Sequence, residues 1–83
     1  MPLFLDIHSL GEPVALNDVA HAHAADLQHQ DGQGVHYLRY WVAGPEGKVF
    51  CLVEAPDAGA AAAVHRAAHG LVATEIYQVQ EGA

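Results

Sequence analysis

Three observations in the 83-residue chain predict an α+β fold. There are two stretches of helical periodicity, short runs rich in β-branched and aromatic residues on either side of them, and a turn signal joining the middle two runs. Residues 2–9, PLFLDIHS, alternate: Leu3, Leu5 and Ile7 share one face, and Phe4, Asp6 and His8 the other, which predicts a half-buried strand. Gly11 and Pro13 break it. Asn17 suits an N-cap, with Asp18 in the first turn; Val19, Ala20, His23, Ala24 and Leu27 then recur at helical spacing until Gly32 and Gly34 end the pattern. VHYLRYWVA at 35–43 and KVFCLVEA at 48–55 flank Gly44-Pro45-Glu46-Gly47 and read as an antiparallel hairpin. Asp57 caps a second, alanine-rich helix that stops at Gly70, and ATEIYQVQ at 73–80 supplies the last strand.

The order β-α-β-β-α-β is ferredoxin-like, a sheet with two helices on one face, and it fills residues 1–83 as a single domain. Two helices cover only one side of such a sheet. The hairpin is nevertheless apolar on both: Val35, Tyr37 and Trp41 oppose Leu38, Tyr40 and Val42, while Val49, Cys51 and Val53 oppose Phe50 and Leu52. A second apolar face predicts a homodimer with the sheets packed together, a dimeric α/β barrel.

Composition narrows the function. Three basic residues against ten acidic ones, a formal charge of −7, leave no surface for nucleic acid or anionic lipid. No apolar run approaches the ~20 residues of a membrane span. The N-terminus lacks the charged start of a signal peptide, so a cytoplasmic location is expected. The lone Cys51 excludes an internal disulfide and a thiolate-only zinc site. No glycine-rich phosphate loop is present, and with only Ser9 and Thr74 as aliphatic hydroxyls a serine triad is not expected. Seven histidines are the outlying feature, and imidazole beside surplus carboxylate suits a divalent transition metal.

Several constellations offer such donors. Asp6 and His8, two apart on a strand, project from one face; an Asp hydrogen-bonded to a His accounts for them equally well. His65 and His69, at i and i+4, lie a turn apart on one side of the second helix, a chelating spacing. His69 alone has a simpler role, complementing the helix dipole in the last turn. On the first helix, His23, Asp26 and His29 form a ridge at i, i+3 spacing, although His23 also falls on the apolar stripe, where a buried histidine bonded to a strand carboxylate fits. His21 and His29 are expected to face solvent. Glu54 ends an apolar run, with Arg39 as a natural ion-pair partner, and Cys51 reads as a small core filler.

The runs GVHYLRYWVAGPEGKVFCLVEAP at 34–56 and VHRAAHGLVATEIYQV at 64–79, with AHAADL at 22–27 and FLDIH at 4–8, resemble a small bacterial family of nickel-binding proteins. The likeness spans most of the chain, with 9–16 and 30–33 as variable loops. It implies a ferredoxin-like subunit that dimerises and binds Ni²⁺, with a role in nickel sequestration. The family's motif residues fall on Asp6, His8, His23, Asp26, Glu54, His65 and His69. The resemblance also leaves room for nickel on surface histidines, here His21, His29 and His36.

Residues and resemblance together predict a protein that sequesters or buffers Ni²⁺, with other divalent transition metals as alternatives. The expected ligands are His65 and His69 first, then Asp6, His8 and His23. Because a ligand imidazole is neutral, affinity is expected to fall as pH drops through about 6.5. The rival is a small dimeric α+β barrel enzyme, cofactor-free or metal-assisted and of monooxygenase or isomerase type, with Asp6, His8, His23, Tyr40 and His65 moving protons. An enclosed apolar pocket with these groups converging inside favours the enzyme; solvent-facing clusters favour metal storage. A third reading is a structural dimer whose histidines are incidental.

Overall fold

In a computed structural model describing residues 1–82, the elements follow the predicted order: β1 (Leu3–Ser9), α1 (Leu16–His29), β2 (His36–Ala43), β3 (Lys48–Glu54), α2 (Ala58–Ala68) and β4 (Glu75–Val79). Ala83, the end of the predicted span, lies outside the described residues. The strands form one antiparallel sheet in the order β2-β3-β1-β4, the ferredoxin-like topology. Both helices bury residues against one face. Val19 of α1 and Ala61 and Val64 of α2 join Phe4, Tyr37, Val49, Cys51 and Val53 of the strands in a single core.

The buried face of β1 is its polar one. Phe4, Asp6 and His8 point under the helices, while Leu3, Leu5 and Ile7 are only half-buried on the other side. Register carries this across the sheet, since Asp6 pairs with Cys51 of β3 and Ile76 of β4.

A bulge in β2 corrects the predicted hairpin faces. Tyr37 pairs with Val53 but Arg39 with Leu52, which leaves Leu38 as an extra residue and reverses the alternation beyond it. Tyr37 and Tyr40 therefore both face the helices, with Tyr40 opposite Cys51. Trp41 lies opposite Phe50 on the uncovered side and is 50% exposed.

Helix ends follow local chemistry in one case and tertiary contact in the other. The Asp57 carboxylate accepts from the Ala60 amide at 2.8 Å, the predicted N-cap of α2. That helix closes where the His65 carbonyl accepts from the amides of His69 and Gly70, Gly70 having φ +79°. Asn17 does not cap α1. The helix begins at Leu16, and Ala15 occupies the cap position with no side-chain bond. Its start is set from outside: the Val14 amide donates to the Gly44 carbonyl at 3.0 Å and the Leu10 amide to that of Gly47 at 2.8 Å. Gly47 has φ +65°, and a Cβ there would overlap the Glu12 carbonyl oxygen. The loop is thereby held against the hairpin turn, which sets Leu10 and Val14 beside the site described next.

Candidate metal centre

His65 lies at the centre of a buried polar cluster. It faces inward from α2 with 1% exposure, so both ring nitrogens must find partners within the protein. Its Nδ1–H donates to Asp26 Oδ1 of α1 at 2.8 Å and its Nε2–H to Asp6 Oδ2 of β1 at 2.9 Å. Two donated bonds make the ring an imidazolium between two carboxylates. Burial alone would lower its pKa, but the hydrogen bonds and charges of Asp26 and Asp6 prevail and raise it to about 9. Asp6 answers in the opposite sense: burial pushes it up, yet the His65 hydrogen bond and the closeness of the His8 and His65 rings hold it at about 2.

Two further histidines flank this pair. His8 Nε2 is 3.3 Å from Asp6 Oδ1 and 3.4 Å from His65 Nε2. Asp6 Oδ1 is buried and receives no well-aligned hydrogen bond, an orphan acceptor of the kind native proteins avoid. His69, at the C-cap of α2, sets Nε2 at 3.1 Å from Asp26 Oδ1 and 3.2 Å from His65 Nδ1. Its Nδ1 accepts from the Leu71 amide at 3.1 Å. Burial and the nearby His65 charge keep His69 below the ordinary histidine range, against the pull of Asp26.

Tyr37 and Cys51 complete the floor. The Tyr37 hydroxyl donates to the Ala61 carbonyl at 2.9 Å and lies 3.3 Å from Asp6 Oδ2. Burial, then the charge of Asp6, raises the pKa of both the phenol and the Cys51 thiol, so each is neutral without a metal.

Among the described residues, two groups have the donors and proximity to hold an ion: Asp6, His8, Cys51 and His65, and Asp26, His65 and His69, the atoms of each lying within 4.8 Å of one another. Donors held about 2.1 Å from one ion are roughly 3 Å apart at right angles, and the nitrogen–oxygen contacts here run from 2.8 to 3.3 Å. Imidazole and carboxylate in this mixture suit a first-row divalent ion. The cluster lies beside a cavity of about 110 Å³ between α1 and the sheet, with Leu10, Val14 and Leu71 among its apolar walls.

Of the predicted ligands, Asp6, His8, His65 and His69 converge. His23 does not join them; it packs on Tyr40 at 4.7 Å between ring centres and lines the same cavity. The histidine bonded to a strand carboxylate is His65, not His23. His21, His29 and His36 are exposed, and the His29 ring instead bonds the Ala25 carbonyl at 2.8 Å. Glu54 is half-buried on β3, paired with His36 and Leu3 away from the cluster, and among the described residues it forms no ion pair with Arg39. The expected ligand set omitted Asp26, Cys51 and Tyr37. Asp26 alone had a signal, its i, i+3 spacing from His23 and His29 and its place among the family's motif residues.

Fold and site together define a small ferredoxin-like protein with a buried histidine–carboxylate centre. Residues 4–79 match the family described as nickel responsive protein SCO4226-like, and the chain belongs to that family. It is similar to the crystal structure of SCO4226 from Streptomyces coelicolor A3(2), with 33% identity, a TM-score of 0.89, and coverage of 98% of this chain and 99% of that one. A comparison with curated proteins finds no match.

Proposed function

We propose that this protein binds a divalent transition metal, nickel foremost, at the buried cluster around His65, and that it sequesters or buffers the ion. The observation carrying this reading is the orphaned Asp6 Oδ1, a buried acceptor with His8 and His65 nitrogens around it. An anionic acceptor without a hydrogen bond is costly in an apolar interior, and a cation bonded there removes the cost. The family's nickel-responsive description supports the choice of metal.

The working form is a homodimer joined through the uncovered sheet face. Leu3, Leu5, Ile7, Phe50 and Leu52 line that face, with Trp41 and Tyr77 about half exposed. Among the described residues, no helix is long and apolar enough to cross a membrane.

Calorimetric titration of untagged protein with Ni²⁺ tests the proposal. A His65→Ala, His69→Ala double variant is expected to bind more than about tenfold more weakly. Replacing His21, His29 and His36 together by alanine is expected to leave the tightest site intact. The reverse pattern would move the nickel to the surface.

One observation favours a second reading. The cavity is largely apolar, and His8, His23, Tyr40 and His65 converge on it, the arrangement that distinguishes a small barrel enzyme from an open metal store. Asp6 lies off its wall, behind His8 and His65. A fragment screen by NMR on metal-free protein addresses this, because an enzyme pocket takes small apolar molecules without the ion.

A further inference from the structure

We propose that the cavity between α1 and the sheet is a binding site for a neutral, single-ring aromatic molecule carrying one hydroxyl, a small phenol or aromatic alcohol. This rests on the pocket reading above, adds to it the chemical class of the occupant, and needs no ion.

Size sets the upper limit. An apolar cavity of roughly 150 Å³ takes up benzene. This one, about 110 Å³ and open on one side, has space for one ring with a short substituent. Its walls suit such a ring. Val14, Val19, Ala22 and Val49 are aliphatic, and the His23 and Tyr40 rings, tilted by 42° with centres 4.7 Å apart, supply an aromatic side. At the rim, Leu10 and Leu71 are 39% and 53% exposed, apolar surface that an occupant would cover.

Polar atoms in the wall set the head group. In the core nearby, the Tyr37 hydroxyl is satisfied by the Ala61 carbonyl. Among the described residues, the hydroxyl of half-buried Tyr40 and the ring of half-buried His23 have no hydrogen-bond partner. Both residues line the cavity, Tyr40 because the β2 bulge turns it under the helices. A phenol and a neutral imidazole each donate and accept, so a ligand hydroxyl pairs with either. A charged head fits less well. Among the described residues no lysine or arginine lines the cavity, and the His65 charge is already held between Asp6 and Asp26, so a carboxylate meets no free cation. An ammonium fares no better. Asp26 Oδ1 is taken by His65 and His69, and Asp18, the other carboxylate of the wall, is exposed to water.

Phenol, toluene, benzoate and benzylamine are the probes, each titrated into metal-free protein and followed by NMR. Phenol is expected to move the amide resonances of Val19, Tyr40 and Leu71. It is expected to bind about fivefold more tightly than toluene, the fold-change that one net hydrogen bond supplies, with benzoate and benzylamine weaker than both. A His23→Phe, Tyr40→Phe variant keeps both rings and is expected to take phenol and toluene alike. An Ala22→Leu variant, checked for folding by circular dichroism, fills the cavity and is expected to take neither. Toluene binding as tightly as phenol, a phenol preference that survives the double replacement, or tightest binding by benzoate or benzylamine overturns the hydroxyl head and leaves the pocket reading standing. Phenol binding that persists in Ala22→Leu overturns the site. Absence of binding by all four probes overturns both this inference and the pocket reading, and leaves the metal reading standing.

Discussion

His65 ties the pH behaviour of the protein to its metal chemistry. Its charge pairing is fully present below the ordinary value of 6.5 and is lost as pH rises through about 9. Asp6 acts at the other end: its contribution is present above 3.8 and is lost as pH falls towards about 2. The urea midpoint of metal-free protein is therefore expected to be highest between 3.8 and 6.5 and to decline on both sides. Metal binding requires the neutral ring, so Ni²⁺ affinity measured by calorimetry is expected to keep rising to about pH 9, well beyond the 6.5 of an ordinary histidine. Removing the imidazolium strands two carboxylates in the interior. His65→Ala is expected to destabilise the metal-free protein at pH 6 by about 3–5 kcal/mol in urea denaturation. The i, i+4 spacing of His65 and His69 and the i, i+2 spacing of Asp6 and His8 were legible because each pair lies on one element. Asp26 meets His65 across 39 positions and two helices, a contact that periodicity does not encode.

Among the elements, the two helices differ in how they begin. Asp57 caps α2 with its own side chain, so Asp57→Ala is expected to cost about 1 kcal/mol, read as a lower melting temperature by circular dichroism. Helix α1 has an extended Ala15 at its cap position and no side-chain acceptor there. Ala15→Ser is expected to raise stability by about 0.5–2 kcal/mol, whereas Asn17→Ala, within the first turn, is expected to change it by less than about 0.5 kcal/mol. Sequence favoured Asn17 because capping preference is local, while the real start is fixed by the pinning of Val14 to the hairpin. The bulge was hidden for a related reason. With aromatic or aliphatic residues on both sides of β2, either phase of the strand looks equally buried.

At the scale of the molecule, the topology was readable from element order alone, since two helices alternating with four strands leave few right-handed arrangements. Which face of β1 lies inside was not, because hydrophobicity points to Leu3, Leu5 and Ile7, while the helices instead cover Asp6 and His8. The fold thus directs polar chemistry inward and leaves an apolar sheet face outward, and the proposed dimer uses that face. The protein's single tryptophan, Trp41, reports on it directly. Its fluorescence is expected to shift to the red on dilution, and Trp41→Glu is expected to give a monomer by light scattering. The extra residue at Leu38 reaches furthest of all. Were Leu38 taken into the ladder as a paired residue, everything beyond it would slip by one partner, Arg39 and Trp41 would replace Tyr40 and Val42 beneath the helices, and a guanidinium would face the histidines. One unpaired residue in an edge strand thus governs whether the interior attracts cations or repels them.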